Sequence, residues 1–236
     1  MVLLRKYGLC LLLALVLAVG GVLAQDEEPL TAEDLGIDLS PPEYGAFDEA
    51  DVADIDVTAY PILPEVTEHA RIIYQRGIEA GNNPHRFSKL GDCMTATYEH
   101  FLGPFGTGEY DLGEYEELQA VIDHFSVPAR DEGFEFDSFA NPGLATANGF
   151  NTASVLDSIW ANPNWCQAGE SPLACEYRAT KPIYSLIMFG TNDVMFIPAA
   201  DFDFYLRTVV LETINRDIVP ILYTIPTRPE FPERTT

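Results

Sequence analysis

Basic residues are scarce in this chain: 13 Lys and Arg stand against 37 Asp and Glu over 236 residues, a formal charge of −24. Phosphate binding needs clusters of Lys and Arg, so the balance argues against nucleic acid and anionic membrane surfaces as partners. Beyond the first 24 residues there is no apolar run near the roughly 20 residues that a membrane-spanning helix needs. Internal repeats do not stand out. No EF-hand loop organises Asp48, Asp51, Asp54 and Asp56, so no metal is expected there, and nothing calls for a cofactor. Cysteine is limited to four positions, one of them Cys10 in the apolar N-terminal run.

What is present divides the chain into three parts. Residues 1–24 carry a basic start (Arg5, Lys6), an apolar core and Val22-Leu23-Ala24 ahead of an acidic stretch, the pattern of a signal peptide cleaved near Ala24. Export follows, with a retained N-terminal anchor as the lesser alternative. Without those residues 11 basic side chains face 37 acidic ones. Residues 25–62 are rich in Asp, Glu and Pro and poor in aromatics, so they are expected to form a solvated linker. Residues 63–236 form the folded domain. Cys166 and Cys175 flank a short loop of turn formers, which a disulfide closes easily in an oxidising compartment, leaving Cys93 as the odd thiol.

Within the domain, helical spacing of Val66, Ala70, Ile72, Ile73 and Ile78 predicts a helix over 63–81, stopped at Gly81-Asn82-Asn83-Pro84. A strand is expected at 86–90 and a helical turn over 94–101. The acidic, amphipathic stretch 109–125 is expected as a surface helix with Tyr115, Leu118, Val121, Ile122 and Phe125 on one side. Residues 138–147 are expected to hold a second strand and its exit loop. From Gly149 the chain is expected to pass into a helix ending near Trp160, followed by the cysteine loop as an insertion. The nearly continuous apolar run at 181–189 predicts a strand covered on both faces. A helix over 203–216 and a buried strand over 218–225 complete the pattern. Strands alternating with helices specify an α/β fold, a parallel sheet sandwiched between helices in three α/β/α layers.

Ligands of such sheets bind where the strands end at their carboxyl edge. Three turns with small or amide-bearing residues leave that edge: Gly91-Asp92-Cys93, the stretch around Gly149, and Gly190-Thr191-Asn192-Asp193. A nucleophile beside a backbone N–H and an uncharged amide donor is what acyl transfer requires. Gly91-Asp92-Cys93-Met94-Thr95, Asn148-Gly149-Phe150-Asn151-Thr152-Ala153 and Gly190-Thr191-Asn192-Asp193 resemble, in that order, three sequence blocks of the SGNH or GDSL-like esterases and lipases. The resemblance covers roughly residues 64–226. It implies an SGNH/flavodoxin-like sandwich and hydrolysis of a small-molecule or glycan ester, acyl or acetyl. It also implies Cys93 at the nucleophile position, Gly149 as backbone oxyanion donor and Asn192 as side-chain donor, with Gly91, Asp92, Gly190 and Asp193 supporting them. Gly143, in Asn141-Pro142-Gly143, is a rival for Gly149.

Two departures from that family stand out. Cysteine replaces its serine, and the C-terminal Asp-x-x-His block that supplies the base is missing, so the domain is expected to be incomplete at that end. Of the histidines present, His85 is expected before the first strand at the far edge of the sheet, His69 at the border of an apolar helix face, and His124 on the surface. His100 is expected to point along its helix. An esterase impaired by the missing base is therefore set against a non-catalytic module that holds a glycan or acyl group.

Overall fold

The computed structural model describes residues 31–36, 56, 59–96, 101–131 and 134–225. The expected signal segment, most of the expected linker and His100 lie outside them. The architecture is mixed α/β: strands β1 (Asn83–Gly91), β2 (Pro182–Met188) and β3 (Val219–Leu222) form one sheet in the order β1-β2-β3. Both pairings are parallel, with Gly91 opposite Met188 and Leu186 opposite Ile221. The longer helices are α1 (Glu68–Ala80), α2 (Gln119–Phe125), α3 (Pro172–Thr180) and α4 (Ala199–Ile214). Among the described residues no helix is long and apolar enough to cross a membrane.

Alternation along β1 and β2 sends neighbouring side chains to opposite faces, and both faces are covered. Leu90 and Ile187 pack with Leu173 and Tyr177 of α3 and Val209 of α4. On the other face Phe87 and Leu186 pack with Ile122 of α2 and with Phe139. Burying each Leu, Ile or Phe side chain of this kind stabilises the fold by about 1.5–3 kcal/mol. Helix α1 begins where the Thr67 hydroxyl accepts the Ala70 N–H and ends at Gly81, in the left-handed conformation. It lies beside β3, with Ile73 against Ile214 and Val219. Leu35 joins this cluster from a hydrogen-bonded turn over 31–36, so that part of the expected solvated linker is docked.

The structure corrects several boundaries. Residues 109–125 are not one helix: a single 3-10 turn (Glu116–Leu118) precedes α2, and Tyr115, Leu118 and Val121 are exposed while Ile122 alone of that set is fully buried. The stretch 138–147 forms no strand; it begins as a turn, and an isolated parallel bridge joins Thr146 to Gly91. The helix expected to end near Trp160 is a pair of 3-10 turns. The cysteine loop is not a mere insertion, because it runs into α3, capped by Ser171 with Pro172 in the first turn. His85 lies within β1, which starts earlier than expected. The last strand is short and lies at the sheet edge, with Ile221 and Leu222 exposed. Pro220, which lacks an N–H for a ladder, is tolerated at such an edge.

Candidate functional site

At the carboxyl edge Gly91 sits between two neighbours, Met188 of β2 on one side and Thr146 on the other. Gly91 N–H donates to the Ala145 carbonyl, and Ala147 N–H donates to the Gly91 carbonyl. The turns that follow Gly91, Thr146 and Met188 therefore leave one edge side by side. Only glycine fits at 91, since a Cβ there would lie 2.2 Å from Thr95 Oγ1 and 2.6 Å from the Met188 carbonyl oxygen.

Asp92 and Cys93 follow directly. Asp92 caps a single helical turn (Cys93–Ala96): its Oδ1 accepts the Met94 N–H at 2.9 Å, and its carbonyl accepts those of Thr95 and Ala96. Capping side chains of this kind hold the start of a helical turn in place. Asp92 Oδ2 and Thr95 Oγ1 are buried without a hydrogen-bond partner among the described residues. Cys93 is half-buried and takes no part in the disulfide, which joins Cys166 to Cys175 as the spacing predicts.

The second and third turns are tied together by side chains. The Asn192 amide donates to the Phe150 carbonyl at 2.7 Å, one residue from Gly149. Asp193, 2 % exposed, accepts from Thr152 N–H (2.9 Å) and the Thr152 hydroxyl (2.6 Å) through Oδ1, and from Gly190 N–H (3.0 Å) through Oδ2. Burial pushes the Asp193 carboxyl above the usual aspartate range against these donors. Gly149 lies past the Thr146 bridge with φ of 86° and open space where a Cβ would sit. Gly143 instead lies against the Lys89 carbonyl, two residues before Gly91 and below the edge.

A second set of polar groups lies beneath this corner. Glu176 of α3 is fully buried and accepts from the Ser88 hydroxyl (2.9 Å), Leu144 N–H (2.7 Å) and the Asn141 amide (3.4 Å). Arg130 donates to Asn141 Oδ1 and the Pro142 carbonyl, its guanidinium lying 4.5 Å and 4.6 Å from the Phe134 and Trp165 ring centres. Lys89 Nζ donates to the Phe139 carbonyl, and burial lowers this amine to about 8. Sequence reasoning missed Thr152 and Glu176, whose partners are 41 and 88 residues away in the chain. The signal that could have revealed α3, and with it the place of Glu176, is Ser171-Pro172, a capping residue followed by proline at the first helical position.

The His85 and His124 rings meet at a tilt of 41° with centres 4.3 Å apart, near the start of β1. His85 Nδ1 pairs with the His124 carbonyl and His124 Nε2 with that of Pro84. Six residues of strand, at about 3.3 Å each, separate this pair from Gly91 by about 20 Å. His69 is exposed in the first turn of α1. The cluster of metal-ligating residue types among the described residues, Cys166, Glu170 and Cys175, has both sulfurs in the disulfide. Comparison with models of known protein families, with curated proteins and with solved structures gives no match.

Proposed function

We propose that this chain carries an SGNH/GDSL-like α/β/α domain whose reactive corner acts on carboxylic esters, with Cys93 as nucleophile and the Gly149 N–H and Asn192 amide as oxyanion donors. The observation that carries this reading is the meeting of three turns at one sheet edge, two of them tied by the Asn192–Phe150 hydrogen bond. That bond occupies one amide hydrogen of Asn192 and fixes its plane, so the second hydrogen has a defined direction. In the reaction Cys93 gives up its thiol proton to solvent, and Sγ forms a bond to the ester carbonyl carbon. The carbonyl oxygen gains charge between the two donors, and collapse expels the alcohol, which takes its proton from solvent. Water then cleaves the thioester. The Cys166–Cys175 disulfide supports an oxidising, extracytoplasmic location.

Of the described imidazoles, His85 and His124 lie near the start of β1, far from this corner, and His69 is exposed on α1; with none of these as base, turnover is expected to be slow. Losing a member of a comparable triad costs orders of magnitude in rate, with the oxyanion hole and binding supplying what remains. The same placement favours a second reading, a module that holds an acyl or glycan group without turning it over. Purified protein with a p-nitrophenyl ester series separates the two. Phenolate release abolished by prior thiol alkylation supports the esterase; no release above a Cys93→Ala control, together with retained glycan binding, overturns it in favour of the module.

A further inference from the structure

The segment 144–147, which leads to Gly149, runs beside β1 yet has only one isolated bridge to it and belongs to no strand. Two backbone hydrogen bonds hold Ala145 and Ala147 at Gly91, and no regular ladder continues them along the strand. The side chain that touches both is Glu176. One carboxylate oxygen accepts the Ser88 hydroxyl, three residues before Gly91, and the other accepts the Leu144 N–H, five residues before Gly149. Asn141 extends the anchor: its amide donates to Glu176 while its carbonyl oxygen accepts from Arg130.

We propose that Glu176 is a positioning residue that sets the oxyanion donor at Gly149 against the nucleophile at Cys93, by tying the strand that leads to Cys93 to the segment that leads to Gly149. The inference rests on the ester-hydrolysis reading and adds a residue that the family resemblance does not supply. A fully buried carboxylate is costly unless every lone pair is used and cations lie near. Here burial raises its pKa, while the Leu144 N–H, Arg130, the Ser88 hydroxyl and Lys89 oppose the rise. Glutamine would keep both ties, its oxygen on the Leu144 N–H and its NH2 on the Ser88 oxygen, which accepts as well as donates. Methionine keeps a similar volume and removes both acceptors, so it breaks the tie.

The test compares wild type with Glu176→Met on p-nitrophenyl acetate and on iodoacetamide alkylation of Cys93. Misplacement by about 1 Å costs about 10²-fold in rate. The expected result is kcat lowered by roughly 10- to 100-fold with KM within about twofold. Alkylation should keep its rate within about twofold, because the Asp92 cap that holds Cys93 is untouched. Unchanged kcat overturns the proposal, as does an equal fall in turnover and alkylation, which marks general loosening. If wild type shows no turnover, the esterase reading fails by itself. Amide exchange then decides the placement: faster exchange at residues 144–152 with α3 still protected supports Glu176 as the anchor, and exchange unchanged there refutes it. Ser88→Ala, which removes only the β1 side of the tie, is expected to show the same split with a smaller fall in kcat.

Discussion

Asp193 joins the second and third turns, and replacing it with asparagine tests whether the corner is held as described. Its carboxylate takes three donors: the Thr152 N–H and hydroxyl on one oxygen, and the Gly190 N–H on the other. Asparagine keeps a single acceptor oxygen and turns an NH2 towards one of the two N–H groups, which is then a buried donor facing a donor. Leaving such a group unsatisfied costs about 1–3 kcal/mol. At roughly 2–4 °C per kcal/mol for a domain of this size, the midpoint of thermal unfolding should fall by about 2–12 °C. Alanine orphans both N–H groups and should cost about 2–6 kcal/mol, a large share of a total that is roughly 5–15 kcal/mol. Urea unfolding followed by circular dichroism measures both. The pH dependence supplies a second check. Burial raises the Asp193 carboxyl in the folded state, so the unfolded chain binds fewer protons as pH climbs through the carboxylate range. Stability from this group therefore falls from the ordinary aspartate range up to the raised value, and asparagine removes that slope. An Asp193→Asn variant as stable as wild type, with the same acid profile, would refute the clamp.

Further outcomes follow from the same structure. Lys89 is lowered from 10.5 to about 8 by burial, so the unfolded chain binds more protons between those values and stability rises with pH across that window, by about 3 kcal/mol; Lys89→Met should flatten the rise in urea titrations at pH 8 and 10. Replacing Cys166 and Cys175 together by alanine opens a loop of separation 9 and should cost about 2.7 kcal/mol on the loop-entropy estimate, read as a lower urea midpoint. Tyr177→Phe removes a buried hydroxyl bonded to Ser185 at 2.7 Å and Thr213 at 2.8 Å, and should lower stability by about 1–3 kcal/mol.

Strand β2 was legible in the sequence because it is buried on both faces and reads as a near-continuous apolar run, and β1 through the glycine turn that marks where it stops. Helix α1 was legible through its stop at Gly81, although of the apolar positions that marked it Val66, Ile72 and Ile78 are exposed and Ile73 carries the packing, and the disulfide was legible through a short loop of turn formers. Residues 109–125 misled because an acidic, amphipathic pattern persists where the chain packs through Tyr110, Leu112, Ile122 and Phe125, while Tyr115, Leu118 and Val121 are exposed. The path of 138–147 could not be read, since it meets β1 at one isolated bridge and otherwise through hydrogen bonds from the distant side chains of Glu176, Arg130 and Lys89 rather than through a regular ladder. The three turns of the candidate site were identifiable from local residues, and the ties between them were not. Thr152 looks like any loop threonine until Asp193 is brought to it from 41 residues away.

The central claim is that Cys93 is the atom that takes the acyl group, and mass spectrometry tests it most directly. Protein mixed with p-nitrophenyl acetate and quenched in acid should carry one acetyl group, mapped to the peptide containing Cys93 and lost on treatment with hydroxylamine. The group should be missing in Cys93→Ala and should build up less in Asn192→Ala. Phenolate released at the wild-type rate by Cys93→Ala, or acetyl found only on lysine or the N-terminus, would contradict the account.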